Sequence, residues 1–157
     1  MVKFNDEELK KYINLIKEYI DKNYRSHFHE PAGMLGHHYF ESGINYSTEV
    51  WDWGSWLNTI ALNALGYENV EKYQKGTLLN FLDRQDEQGR IPILVSATKV
   101  PWLPDLDENY NKNIAKPTMC QFALEISRKY NDVEWIRPYF AKLVKFVNYY
   151  DNTSLVL

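Results

Sequence analysis

A repeated helical period constrains this chain more than any other feature. Apolar side chains recur at three- and four-residue intervals in five separate segments, with polar residues on the opposite face of each. From Asn5 the chain reads N-D-E-E-L, a capping candidate with Glu8 three residues on, and Leu9, Tyr12, Ile13, Ile16, Tyr19 and Ile20 then mark one stripe. A second helix is expected from Ser47 or Thr48, either able to cap it, with Glu49 in its first turn. Its inward stripe reads Trp53, Trp56, Leu57, Ile60, Ala61 and Ala64, and Gly66 supplies the stop. The third runs from Asn69 through Val70, Tyr73, Leu78, Phe81 and Leu82 to a D-E-Q-G turn at Gly89. The fourth, over residues 117–130, turns Met119, Phe122, Ala123, Ile126 and Tyr130 inward. The fifth is capped by Asn131 or Asp132, carries Pro138 near its first turns, and buries Trp135, Ile136, Tyr139, Phe140, Leu143, Val144 and Val147.

The connections alternate in length. Residues 22–46, with four histidines and three glycines, form a long connection in which no regular structure is expected. Residues 90–116, with Pro92, Pro101 and Pro104, form a second, in which Ile91–Val95 reads either as a short strand or as extended chain. Short links make helices two and three an antiparallel hairpin, and likewise four and five. Long loops leaving one end of a helical array gather on one face, where aromatic and carboxylate side chains can line a cavity.

At 157 residues the chain has the size of one domain, and 45% hydrophobic with 25% charged residues indicates a globular fold. A net charge of −3 without any basic run excludes the electrostatic footprint of a nucleic-acid or anionic-lipid binder. Cys120 stands alone and cannot form an internal disulfide, and MVKFNDEELKKY lacks the apolar core of a signal peptide, so the expected setting is cytoplasmic. No apolar stretch approaches the ~20 residues that cross a bilayer. The aromatic fraction, 15%, is high, and it concentrates in loops and helix starts.

The stretch STEVWDWGSW sets Trp51, Trp53 and Trp56 within six positions beside Glu49 and Asp52. Sugars present flat C–H faces ringed by hydroxyls, so a carbohydrate site needs aromatic platforms for the faces and carboxylates or amides for the hydroxyls. Trp51, Asp52 and Trp53 have that composition. Periodicity favours core packing for Trp56 and leaves Trp51 and Trp53 open between a core and a loop-facing position.

The segments YSTEVWDWGSWLNTIALNALG, FLDRQDEQGRIPILVS and AKPTMCQFALEISRKYNDVEWIRPYFAKLVKFVNYY together resemble inverting glycoside hydrolases with an (α/α)6 barrel. The likeness covers most of residues 30–150. It groups the chain with bacterial relatives of processing alpha-glucosidase and mannosylglycerate hydrolase, and more distantly with trehalase and the glycogen-debranching glucosidase. The fold this implies is all-α, antiparallel helical hairpins forming a partial (α/α)6 toroid, with residues 1–157 a single partial domain. The activity it implies is inverting hydrolysis of O-glycosidic bonds in small oligosaccharides or glycosides, with no cofactor and no metal.

In that family the helix-two motif reads like W-x-W-D-S and its tryptophans wall the sugar subsite. Trp51 and Trp53 take those positions, and Tyr46 lies near a binding tyrosine. Gly54 stands where the aspartate is expected, so Asp52 either substitutes from two residues earlier or that contact is absent. Lys116 takes the place of a Lys-Pro or Gln-Pro-Pro element, with Gln121 a turn inward. The implied substrate-binding set is therefore Tyr46, Trp51, Asp52, Trp53, Lys116 and Gln121. Inversion needs an acid and a base roughly 6.5–9.5 Å apart; in the family both come from segments beyond those matched, so no catalytic residue is assigned.

The remaining candidates read as structural. Glu49 is a first-turn helix charge, and Glu41, Asp105 and Asp107 are solvated loop carboxylates. His27, His29, His37 and His38 lack the cysteines or H-E-x-x-H spacing of a metal site and read as surface or packing histidines. Cys120 reads as a buried structural thiol. Five helices against the twelve of a full ring leave an open helical flank, so self-association or complementation by a second chain is expected. The alternative function is a non-catalytic helical interaction module or a truncated gene product.

Overall fold

The computed structural model describes residues 5–43, 46, 48–98 and 114–154. Ser47, Pro101, Pro104, Asp105 and Asp107 lie outside these residues. In chain order the elements are α1 (Asp6–Asn23), a 3-10 turn (Tyr24–His27), β1 (Phe28–His29), β2 (Tyr39–Phe40), β3 (Glu49–Trp51), α2 (Asp52–Leu65) and α3 (Glu71–Leu82). Then follow β4 (Leu94–Ser96), α4 (Met119–Tyr130), a 3-10 helix (Glu134–Tyr139) and α5 (Phe140–Ser154).

The expectation of an all-α chain, a partial (α/α)6 toroid of hairpins, is overturned. Helix accounts for 61% and strand for 11%, in two small antiparallel sheets, so the fold is mixed. The reason lies in the long connections. A segment laid against a core must satisfy its backbone N–H and C=O groups, and both connections do so by pairing: Phe28 opposite Phe40 and His29 opposite Tyr39 in one sheet, Val50 opposite Val95 and Trp51 opposite Leu94 in the other. The segment read as a strand or extended chain contributes β4 and, at Pro92, a bridge to Ile114. Pairing with β4 also takes Glu49 out of the helix it was expected to open.

The core is built around α3 and α4. Phe40, Leu78, Phe81, Leu82, Ile91, Met119, Phe122, Ile126 and Phe146 are all fully buried or nearly so. α3 carries the hairpin β1–β2 on polar side chains: Thr77 Oγ1 accepts from the Phe40 N–H at 3.1 Å, and Asn80 exchanges two bonds with the His37 backbone at 3.0 and 3.1 Å. Gly76 permits the close approach, because a Cβ there would run into the His38 carbonyl oxygen.

Four helix expectations change at the level of faces and ends. α1 has its capping box, Asn5 Oδ1 accepting from the Glu7 and Glu8 N–H groups and Glu8 Oε2 accepting from the Asn5 N–H, yet none of its residues is buried. It is tethered at its C-terminal end, where Tyr24 stacks on Tyr67 at 4.0 Å and the Tyr67 hydroxyl donates to Asp21. α2 turns Asp52, Ser55, Thr59 and Leu62 inward and leaves Trp53, Leu57, Ile60, Ala61 and Ala64 exposed. The small residues of that inward face let α2 lie against α4, and this contact outweighs the apolar stripe. Asn131 closes α4 in the left-handed conformation at φ 48° instead of opening the next helix. Asp132 Oδ1 accepts from the Glu134 N–H at 2.9 Å and opens the 3-10 helix, which contains Pro138; α5 begins beyond it, burying Leu143 and Phe146 and exposing Phe140, Val144 and Val147.

Candidate functional site

The site candidates converge on the junction between β3 and α2. Trp51 ends β3 in extended conformation, its N–H donating to Ser42 Oγ at 2.8 Å, and its indole Nε1 donating to Glu49 Oε2 at 3.0 Å. Glu49 is thus a strand residue that fixes an indole. Tyr46, exposed, meets the Trp51 ring edge to face at 6.0 Å.

Asp52, next in sequence, is 2% exposed. Its N–H donates to the Ile93 carbonyl at 3.0 Å, and its Oδ2 accepts from the Lys116 backbone N–H at 2.6 Å. The same carboxylate accepts from the Trp53 backbone N–H. It therefore ties the first turn of α2 to the segment that leads into α4. Burial pushes its pKa above the ordinary carboxylate value, and the backbone N–H bonds from Lys116 and Trp53 oppose that rise without cancelling it. Tyr150 of α5 reaches the same junction, its hydroxyl donating to the Ala115 carbonyl. Burial, followed by the charge of Asp52, pushes Tyr150 up to about 12.

The two indoles that follow differ. Trp53 is 50% exposed, whereas Trp56 is half-buried, meeting Trp53 edge to face at 6.4 Å. Lys116 is exposed, and it is its own backbone N–H that Asp52 binds. Gln121 is exposed as well, but its amide nitrogen lies 2.8 Å from the Pro117 carbonyl and 3.2 Å from that of Thr118, so it satisfies the start of its own helix. The structure thus brings together Trp51 with Tyr46, and Trp53 with Lys116 through Asp52. Gln121 is turned aside, and Asp52 is a buried link instead of a surface contact.

Residues that pattern reading passed over surround the junction. Ser42 holds the Trp51 backbone. The hydroxyls of Ser55, Thr59 and Thr118 are buried without a hydrogen-bond partner among the described residues, as is the Nε1 of Trp56, whose inward position the periodicity does mark.

Glu41, expected to be a solvated loop carboxylate, is 5% exposed. Its Oε1 lies 2.7 Å from His27 Nδ1 and its Oε2 3.0 Å from His29 Nε2. The β1–β2 pairing creates this arrangement, since the Glu41 N–H donates to the His27 carbonyl at 2.9 Å. His37 and His38 likewise meet carboxylates, Asp83 and Glu30, each at 2.8 Å. Among the described residues no group of three or more His, Cys, Asp or Glu side chains is placed to hold a metal ion. Cys120 is half-buried, and burial pushes its thiol up, away from the reactive thiolate. Among the described residues no helix is long and apolar enough to cross a membrane.

No protein-family model matches the chain, and no curated protein matches it. Neither comparison supports the resemblance of the tryptophan-rich segment to glycoside hydrolases.

Proposed function

We propose that the chain is a carbohydrate-recognition part of a glycoside-hydrolase-like protein, with the pyranose ring of a small oligosaccharide or glycoside as ligand and hydrolysis of O-glycosidic bonds by inversion as the activity of the complete family. One observation carries the reading: the Trp53 indole is half exposed although Asp52 before it and Ser55 after it are buried. An indole left in water at a helix mouth offers an apolar face to the C–H side of a sugar, with a polar edge beside it. Lys116 supplies a donor for ring hydroxyls, and Tyr46 with Trp51 extends the aromatic wall. Asp52 acts at one remove, keeping Lys116 and Trp53 in register.

Three carboxylates near the aromatic junction and the β1–β2 hairpin hold structure together, which supports a recognition role for this part of the chain. Asp52 is enclosed, Glu49 is engaged by Trp51, and Glu41 is flanked by two imidazoles. A cytoplasmic setting belongs to the same proposal, supported by a lone cysteine that has no internal partner.

Calorimetry and tryptophan fluorescence with glucose, mannose and small disaccharides test the reading. The expected result is saturable binding at millimolar sugar that Trp53→Ala abolishes and Gln121→Ala leaves intact. An unchanged signal at high millimolar sugar in wild type would remove the proposal.

A further inference from the structure

We infer that the cavity between the C-terminal end of α1, the β1–β2 hairpin and α2 binds a small organic amine, its ammonium group on the Glu41 carboxylate and its apolar body against α2 and the hairpin. The cavity measures about 260 Å3. An apolar cavity of roughly 150 Å3 holds benzene, so there is room for one ring with a short side chain. Ile20, Phe28, Phe40, Leu62 and Leu65 give it apolar walls, and among the described residues Glu41 is its one carboxylate. A mostly apolar cavity with few polar groups is the usual form of a small-molecule site. Trp51, Trp53 and Lys116 do not line it, so it is separate from the aromatic junction.

The charge of Glu41 selects the ligand. Glu41 is 5% exposed, and a buried carboxylate is costly unless it is paired. The chain offers it imidazoles alone, His27 Nδ1 at 2.7 Å from one oxygen and His29 Nε2 at 3.0 Å from the other. Among the described residues no lysine or arginine pairs with it or lines the cavity. Arg25, two residues before His27, lies over the Tyr24 ring at 5.1 Å. An ionised carboxylate has about four acceptor positions, and the two imidazoles face one oxygen each. An ammonium N–H fills a remaining position and brings the full positive charge that a neutral imidazole lacks. A hydroxyl in the same place makes a weaker bond, and an anion is repelled.

Isothermal titration calorimetry of the full chain tests this near pH 8, where free imidazole is neutral and a primary amine is charged. The probes are phenethylamine, phenethyl alcohol and phenylacetate, which are similar in size and differ in charge. Phenethylamine binds saturably at one site, phenethyl alcohol binds about tenfold more weakly or less, and phenylacetate does not bind. Glu41→Gln removes the charge and lowers amine affinity to that of the alcohol. Ala61→Trp, at an exposed lining position of α2, fills the cavity and abolishes amine binding with unchanged circular dichroism. Trp53→Ala leaves amine binding intact. A wild type that binds no amine, or that binds either other probe as tightly, overturns the inference. So does an Ala61→Trp protein with wild-type amine affinity, or a folded Glu41→Gln protein with the same. Should Glu41→Gln lose its helical signal, the three probes and Ala61→Trp decide the matter by the same criteria.

Discussion

In α4 the expected residues Met119, Phe122, Ala123 and Ile126 are buried and Tyr130 is half-buried, while in α1 the equally regular stripe of Leu9, Tyr12, Ile13, Ile16 and Tyr19 is exposed and only Ile20 at its end is half-buried. The two helices are alike in period and differ in what lies beside them. α4 is wedged against α2 and α3, whereas α1 is joined mainly to the 3-10 turn that follows it. Periodicity states which face of a helix wants cover; only the rest of the chain decides whether cover arrives. α2 is a third outcome, because its polar, small-residue face is the one that found a neighbour.

The largest effect that tests this contrast is expected at Phe122, which is fully buried. Phe122→Ala is expected to cost about 3–5 kcal/mol in urea unfolding, the range for removing an aromatic ring from a packed core. A loss below about 1 kcal/mol would mean that α4 is no better anchored than α1.

A smaller effect, and one that depends on pH, is expected at the junction of α2 and α4. Burial raises the Asp52 pKa above its unfolded value, so the native state holds this proton more tightly. Stability then falls as pH rises from the ordinary carboxylate value through the raised one, and it is regained on acidification across that window. Asp52→Asn keeps an acceptor for the Lys116 N–H and removes the titration. Wild type is therefore expected to gain on the Asn variant as pH is lowered through the window, measured by paired urea titrations. A gap that does not change with pH would place Asp52 in water.

The smallest effect is expected at Ile16, where Ile16→Ala changes monomer stability by no more than about 0.5 kcal/mol, as an exposed site should. A cost of 2 kcal/mol or more, about that of a buried isoleucine, would show the α1 stripe covered within a single molecule.

What could be read in advance follows the same logic. The Asn5–Glu8 capping box, the Gly66 stop and the α4 stripe are local or strongly periodic, and each is present. β1 and β2 are two residues long and exist because Phe28 and Phe40 meet across a turn, which no window of sequence displays. Thr48 and Glu49 carry a helix-start signal, but Val50 pairs with Val95 and the helix waits until Asp52. At the site, the aromatic composition was visible while the depth of each ring was not. Periodicity sets Trp53 on the inward stripe but leaves it open between a core and a loop-facing position, and it lies half in water, because the orientation of α2 is set by Ser55, Thr59 and the Asp52–Lys116 bond. Glu41 reads as a solvated loop carboxylate yet is buried, for a related reason: its partners, His27 and His29, are brought beside it only when the two strands fold back.

The absence of a side chain at Gly76 reaches further than one helix turn. With the His38 carbonyl occupying the place a methyl would take, α3 and the returning strand are separated by bare backbone. Any bulk at that point acts as a lever, prising the hairpin outward and carrying Glu41 and both its imidazoles with it. The enclosure of one carboxylate is thus governed by a residue that never touches it.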